Sequence, residues 1–174
     1  MIAENKPWKS LFWVCFGLAA GTAFCMKWME ADFWQNGEKF TIIGLELSYP
    51  EEKLASTLSG LNDHVKTILR YHLSFDFAFM AGIYPGIAAL CMLGRERSDR
   101  PGIRKLLLGL AFLQSIAWGC DIAENIFLLK WTSNPLAGKE FGVYHFVVYT
   151  KWLLALTGAL LGILFNMLRK KQHR

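Results

Sequence analysis

The chain has no CxxC pair. Its four cysteines, Cys15, Cys25, Cys91 and Cys120, all fall inside apolar stretches, a pattern that argues against a thiol–disulfide enzyme and against a cysteine-ligated zinc site. They read as small packing residues, with a Cys25–Cys120 bridge left open because both thiols lie toward the same side. Internal repeats, low-complexity tracts and a lipobox-like cysteine context are also missing. So are polar helix faces: neither residues 14–24 nor residues 153–168 offer the side that a soluble four-helix bundle must turn to water. The net charge of +5 is not gathered into a nucleic-acid-binding patch, since the basic residues sort by loop.

What is present is apolar length. Of 174 residues, 53% are hydrophobic and 14% aromatic. Four segments, about 10–28, 71–94, 105–129 and 142–168, reach the roughly 20 residues that cross a bilayer. The fold expected is an all-α integral membrane four-helix bundle, a single transmembrane domain with a long loop over about residues 29–70. Lys6 and Lys9 precede the first span. Arg95, Arg97, Arg100, Arg104 and Lys105 lie between the second and third, and Arg169, Lys170, Lys171 and Arg174 follow the fourth. By the positive-inside rule both termini are cytoplasmic, in a plasma membrane of bacterial type, and the long loop faces outward. Lys6, Lys9 and the small residues Gly21, Thr22 and Ala23 resemble a signal peptide, but the apolar run continues through Phe24, Cys25 and Met26, which favours a retained span.

In the long loop, residues 40–47 are rich in β-branched and apolar side chains and predict a short extended or re-entrant segment. Ser48 or Tyr49 near the cap, Pro50 in the first turn and Glu51 and Glu52 on the positive dipole end predict a helix start. Leu54, Leu58 and Leu61 give that helix an apolar stripe, Gly60 stops it, and an interfacial helix on the outer membrane surface fits the pattern. Asn62 or Asp63 caps the next helix, and Pro85 between Gly82 and Gly86 predicts a kink. Small residues at four-residue spacing (Gly17 and Gly21, Gly82 and Gly86, Gly158 and Gly162) mark faces expected to turn inward.

Asp76, Asp121, Glu124, Asn125 and Lys151 interrupt the apolar segments. Charge inside a membrane costs roughly 2.5–3.5 kcal/mol per residue on insertion scales, so such residues signal a site by default. At 1.5 Å per residue, Asp76 lies roughly 7 Å, Asp121 and Glu124 about 8–12 Å, and Lys151 about 10–15 Å inside the outer ends of their spans. They share one slab. Gln114, Asp121 and Asn125 form one stripe, Lys151 joins Tyr144, Gly158 and Gly162 on another, and His72 lies one turn from Asp76. Three acids against one lysine leave surplus negative charge, for which a proton, a cationic ligand, a metal or His72 must compensate. His72, Asp76, Asp121, Glu124 and His145 offer oxygen and imidazole ligands, yet Lys151 repels a cation and His145 is turned roughly 120° from it. No metal and no cofactor are expected. Trp8, Trp28, Trp34, Trp131 and Tyr71 read as an aromatic belt.

An ordered set of short motifs also carries a resemblance: Leu45, Glu46 and Leu47 before a Pro-Glu-Glu helix; Phe75-Asp76-Phe77 with Tyr84; Asp121, Glu124 and Asn125 as D-x-x-E-N; and Lys151 with Trp152. Over about residues 40–155 the chain resembles a family of small uncharacterised bacterial membrane proteins with four predicted spans. The resemblance implies the architecture and no activity, and it implies that Glu46 belongs with the buried cluster, folding in as a lid. His72 and Asp76 are also similar in arrangement to the His–acid pair of sterol-isomerase-type proteins, by geometry alone.

Two functions from different classes follow. The first is a binding or catalytic membrane protein whose pocket takes a small amphiphilic or lipid-like molecule. Asp76, Asp121 and Glu124 would be acceptor or acid–base groups, Lys151 their electrostatic partner, Asn125 an orienting amide, and Tyr84 and His72 supporting donors. The second is a structural or accessory subunit whose charged network specifies assembly with itself or with a larger membrane partner. Proton- or ion-coupled transport would require an oligomer. A cavity lined by the carboxylates favours the first; charge contact without a void favours the second.

Overall fold

The computed structural model describes residues 6–134 and 138–168; Arg169, Lys170, Lys171 and Arg174, invoked above for orientation, lie outside the described residues. Among these, four helices are long and apolar enough to cross a membrane: α1 (Lys6–Met29), α4 (Asp63–Arg97), α5 (Pro101–Trp131) and α6 (Gly138–Leu168). The all-α four-helix architecture is that of a multi-pass membrane protein. Two shorter helices, α2 (Ile42–Glu46) and α3 (Glu51–Ser59), follow a two-stranded hairpin, β1 (Trp34–Gln35) and β2 (Glu38–Lys39). All of these lie between α1 and α4.

The long helices overrun the segments expected from hydropathy, and in α4 a cap sets the start. Asn62 Oδ1 accepts from the Val65 N–H at 2.9 Å and starts α4 eight residues before Tyr71. At 35 residues, α4 is about 52 Å long by its rise, well beyond the roughly 30 Å of a hydrocarbon core. It runs through Pro85 without ending. Its extra turns carry Val65 and Leu69 into a core shared with Phe33, Leu45, Leu54, Leu58, Leu61, Trp131 and Tyr144. The apolar stripe of α3, expected to rest in the lipid interface, is therefore covered by protein. Pro50 is its N-cap rather than a first-turn residue. Residues 40–47 are not an extended segment: Thr41 Oγ1 accepts from the Gly44 N–H at 3.1 Å and caps the short helix α2. Trp131 leaves the expected aromatic belt for the same core, 5.0 Å from Tyr144 between ring centroids.

The hairpin turn is Asn36-Gly37, both with positive φ (50° and 83°). Asn-Gly is the pair that a two-residue turn between antiparallel strands demands. The sequence carried this signal openly, between residues read only as loop.

α4 is the spine. It packs against α1, α5 and α6, and α5 packs against α6, whereas α1 makes no comparable contact with α5 or α6. At Gly82 the α1 and α4 backbones nearly touch: an added Cβ would lie 2.7 Å from the Ala19 nitrogen and 2.8 Å from the Cys15 oxygen. Gly17 and Gly21, expected to face inward, have open space beside them. α1 presents Cys15 and Ala19 to the bundle instead. The cysteines are all free, and no Cys25–Cys120 bridge forms. Cys91 Sγ donates to the Gly158 carbonyl at 3.3 Å.

Candidate functional site

Lys151 sits at the centre. Its helix turns Tyr144, Lys151, Gly158 and Gly162 inward, so the stripe read from spacing is the buried one. The lysine is 5% exposed. Its Nζ donates to Asp121 Oδ1 at 2.7 Å and lies 2.7 Å from Glu124 Oε2 and 3.1 Å from Glu46 Oε2. Both Asp121 oxygens are engaged, because the Tyr84 hydroxyl donates to the other at 2.7 Å. Glu124 and Glu46 are held by charge rather than by directed hydrogen bonds, since the oxygens that face Nζ lack a well-formed donor. Glu46 arrives from outside the spans. Leu45 anchors α2 in the core, and the Tyr144 hydroxyl donates to the Glu46 carbonyl at 3.3 Å.

Asp76 is reached from the side. Asn125 donates to its Oδ2 at 2.8 Å and to the Leu73 carbonyl at 3.2 Å, so one amide joins α5 to α4 at two points. A turn earlier on α4, His72 is buried, its ring 5.4 Å from that of Phe33. Its Nδ1 has no hydrogen-bond partner. Glu30 lies nearby, buried, accepting from the Ile42 N–H at 3.2 Å and from Lys27.

These groups border a cavity of about 390 Å³ between α1, α4 and α6. α4 forms its floor with Asp76, Ile83, Tyr84 and Ile87. Ala23 and Met26 of α1 form one wall, and Lys151, Trp152, Ala155 and Ala159 of α6 the other. Ile42, Ile43 and Glu46 of α2 roof it. The missing contact between α1 and α6 is what opens it to the side. Most of the surface it exposes is apolar, with charged groups on the floor, the α6 wall and the roof, which is the composition of a small-molecule site.

Burial drives the Glu46 carboxyl above the usual carboxylate range, and the attraction of Lys151 only partly offsets this. Glu46 and Glu124 thus each place an oxygen within 3.1 Å of the same ammonium. Such an arrangement can hold or pass a proton, or accept hydrogen bonds from a polar head group. Among the described residues no group of three His, Cys, Asp or Glu is arranged to hold a metal ion.

The structure brings together Glu46, Tyr84, Asp121, Glu124 and Lys151 as direct contacts, with the Asp76–Asn125 pair and His72 beside them. His145 stays apart, its ring against Tyr49 and Phe141. Glu30 is the residue that reading the sequence missed. An acid just beyond a span looks ordinary, and only the fold-back of Phe33 and Ile42 buries it. No family model matches the chain, and searches of curated proteins and of solved structures return no match.

Proposed function

We propose that this protein binds a small amphiphilic or lipid-like molecule in the cavity between α1, α4 and α6. One observation carries the reading: a pocket of about 390 Å³, apolar over most of its exposed surface and lined also by Glu46, Asp76, Asp121 and Lys151. A ligand's apolar part would lie along Ile83, Ile87, Ala155 and Ala159, and its head group would meet the charged cluster. The gap between α1 and α6 offers entry from lipid. Arg95, Arg97, Arg100, Arg104 and Lys105 gather at the opposite end of the bundle, so the positive-inside rule puts that end in the cytoplasm, in a plasma membrane, with both termini there.

Native mass spectrometry of the protein released from mild detergent tests this. A bound small molecule is expected on the wild type, and it should disappear in Ala155→Phe, which fills the wall without touching a charge. A wild type that carries nothing and takes up no added lipid overturns the proposal. The accessory-subunit reading has one observation in its favour, the direct contact of Lys151 with three carboxylates. It predicts that Ala155→Phe leaves every activity of the cell unchanged, whereas disrupting Lys151 removes a partner.

A further inference from the structure

The charged cluster is not uniformly occupied. Four carboxyls, those of Glu46, Asp76, Asp121 and Glu124, face the single ammonium of Lys151, and three of them contact it within 3.1 Å. Asp121 has both oxygens engaged. Asp76 differs from the rest: its hydrogen-bond partner is a neutral amide, and among the described residues no cation lies within ion-pair distance of it. It is 7% exposed and lines the cavity. A buried carboxylate with only an amide for company is an expensive arrangement unless a proton or a cation completes it, and a cation can do so only from the cavity.

A second, separate observation points the same way. His72 is 1% exposed, lines the same cavity one helical turn from Asp76, and its Nδ1 lacks a partner. A neutral imidazole carries one acceptor nitrogen, which His72 can present to a donor. Phe79 lines the wall beside them, and an aromatic face also favours a cation. The rim lysine, Lys27, is already tied to Glu30, so it offers little to an anion.

We infer that the ligand is an amphiphilic cation: a protonated amine on an apolar tail, its ammonium held by Asp76 and His72 beneath the α2 roof. This rests on the ligand-binding reading above and adds the chemical class. An ammonium donates in three directions, which suits a cavity lined by a carboxylate, an imidazole and an aromatic ring. A carboxylate or phosphate head would meet Asp76 as a like charge. An alcohol would satisfy one acceptor and leave the charge uncompensated.

Calorimetric titration of the full chain in nanodiscs with dodecylamine, dodecanol and dodecanoate, which share one tail, tests the assignment. Empty nanodiscs supply the partitioning blank. The amine is expected to bind about tenfold to a hundredfold more tightly than the alcohol, the range that one charge-assisted contact provides. Asp76→Asn, which keeps an oxygen for Asn125, should erase that preference while leaving the alcohol's affinity unchanged. His72→Gln should weaken the amine by a smaller factor. Equal affinity for amine and alcohol, or an Asp76→Asn variant that still prefers the amine, overturns the cation assignment and leaves an amphiphile site standing. Tightest binding by dodecanoate overturns it as well and moves the head-group contact to Lys151 or Lys27. If no probe exceeds the nanodisc blank, the amphiphile site itself fails, and the cation assignment with it.

Discussion

Toward the Arg97 end of the bundle, two amides and a thiol between helices turn to backbone carbonyls, and Arg97 donates to Asn166 Oδ1 at 2.9 Å. Gln114 donates to Leu110 and Leu154 at 3.2 and 3.1 Å. Asn166 donates to Leu90 and Gly162 at 3.0 and 2.8 Å, and Cys91 donates to Gly158. Toward the capped end, where α2 and α3 lie, the buried polar groups are ionisable, pair with one another across four elements, and border a cavity. Amides that bond to carbonyls bring no net charge to balance and let helices close up. Surplus carboxyls beside a void are neither closed nor balanced. The first arrangement is enough to hold helices together, so packing alone does not account for the second.

Removing the central cation should produce the largest effect. Lys151→Met leaves Asp121, Glu124 and Glu46 buried with no ammonium among them, and breaking a buried network from one side costs about 3–5 kcal/mol. Chemical denaturation in detergent is expected to show a loss of that size. The paired change Lys151→Met with Asp121→Asn should recover part of it. Should Lys151→Met prove neutral, the network adds nothing to stability and the contrast between the two halves disappears.

The matching test of the Arg97 half is steric. A Cβ at Gly158 would lie 2.4 Å from Gln114 Nε2 and 3.0 Å from Ile87 Cγ2. In Gly158→Ala the amide must swing away from the Leu154 carbonyl, leaving buried polar groups unpaired at about 1–3 kcal/mol. The gain in helix propensity, about 1 kcal/mol, offsets part of this. Thermal unfolding should therefore show a smaller loss than Lys151→Met. No pH dependence should accompany it, because an amide does not titrate.

Glu46 gives the capped half a pH signature that the other half lacks. Burial holds its folded carboxyl above the unfolded value, so the folded state keeps a proton that the unfolded chain has lost. Its contribution to stability is complete below the unfolded value and fades as pH rises through the folded one. Measured against Glu46→Gln, the advantage of the wild type should shrink from acid toward neutral pH. An advantage that grew with pH would mean that the pull of Lys151 outweighs desolvation.

Much of this was legible in one dimension, and the failures share a cause. The spans could be read because lipid demands long apolar runs. Asp76, Asp121, Glu124, Asn125 and Lys151 could be read because charge inside those runs is conspicuous and helical spacing fixes its facing. Glu46 came only through a resemblance in motif order. Nothing local distinguishes a loop glutamate that enters the bundle from one that stays in water. Glu30 escaped for the same reason, and the stripe of α3 was assigned to lipid because an apolar face does not state whether protein or membrane will cover it. The Asn36-Gly37 turn was different: its signal was local and sufficient.

The smallest effect bears on that same ambiguity. Gly17 and Gly21 have the spacing of a helix-contact motif, yet nothing approaches either within 4 Å. If that face meets only lipid, Gly17→Ala removes no contact and restricts the unfolded chain, for a gain of about 0.4–1 kcal/mol. The mass of the protein in detergent should not change. If instead the stripe docks on a second copy or on another membrane subunit, a methyl group at Gly17 separates the backbones, and stability and mass fall together. The expected result is the slight gain. α1 already has its close contact on the opposite side, where Gly82 meets Cys15 and Ala19, and this is enough to fix it as the outer wall of the cavity.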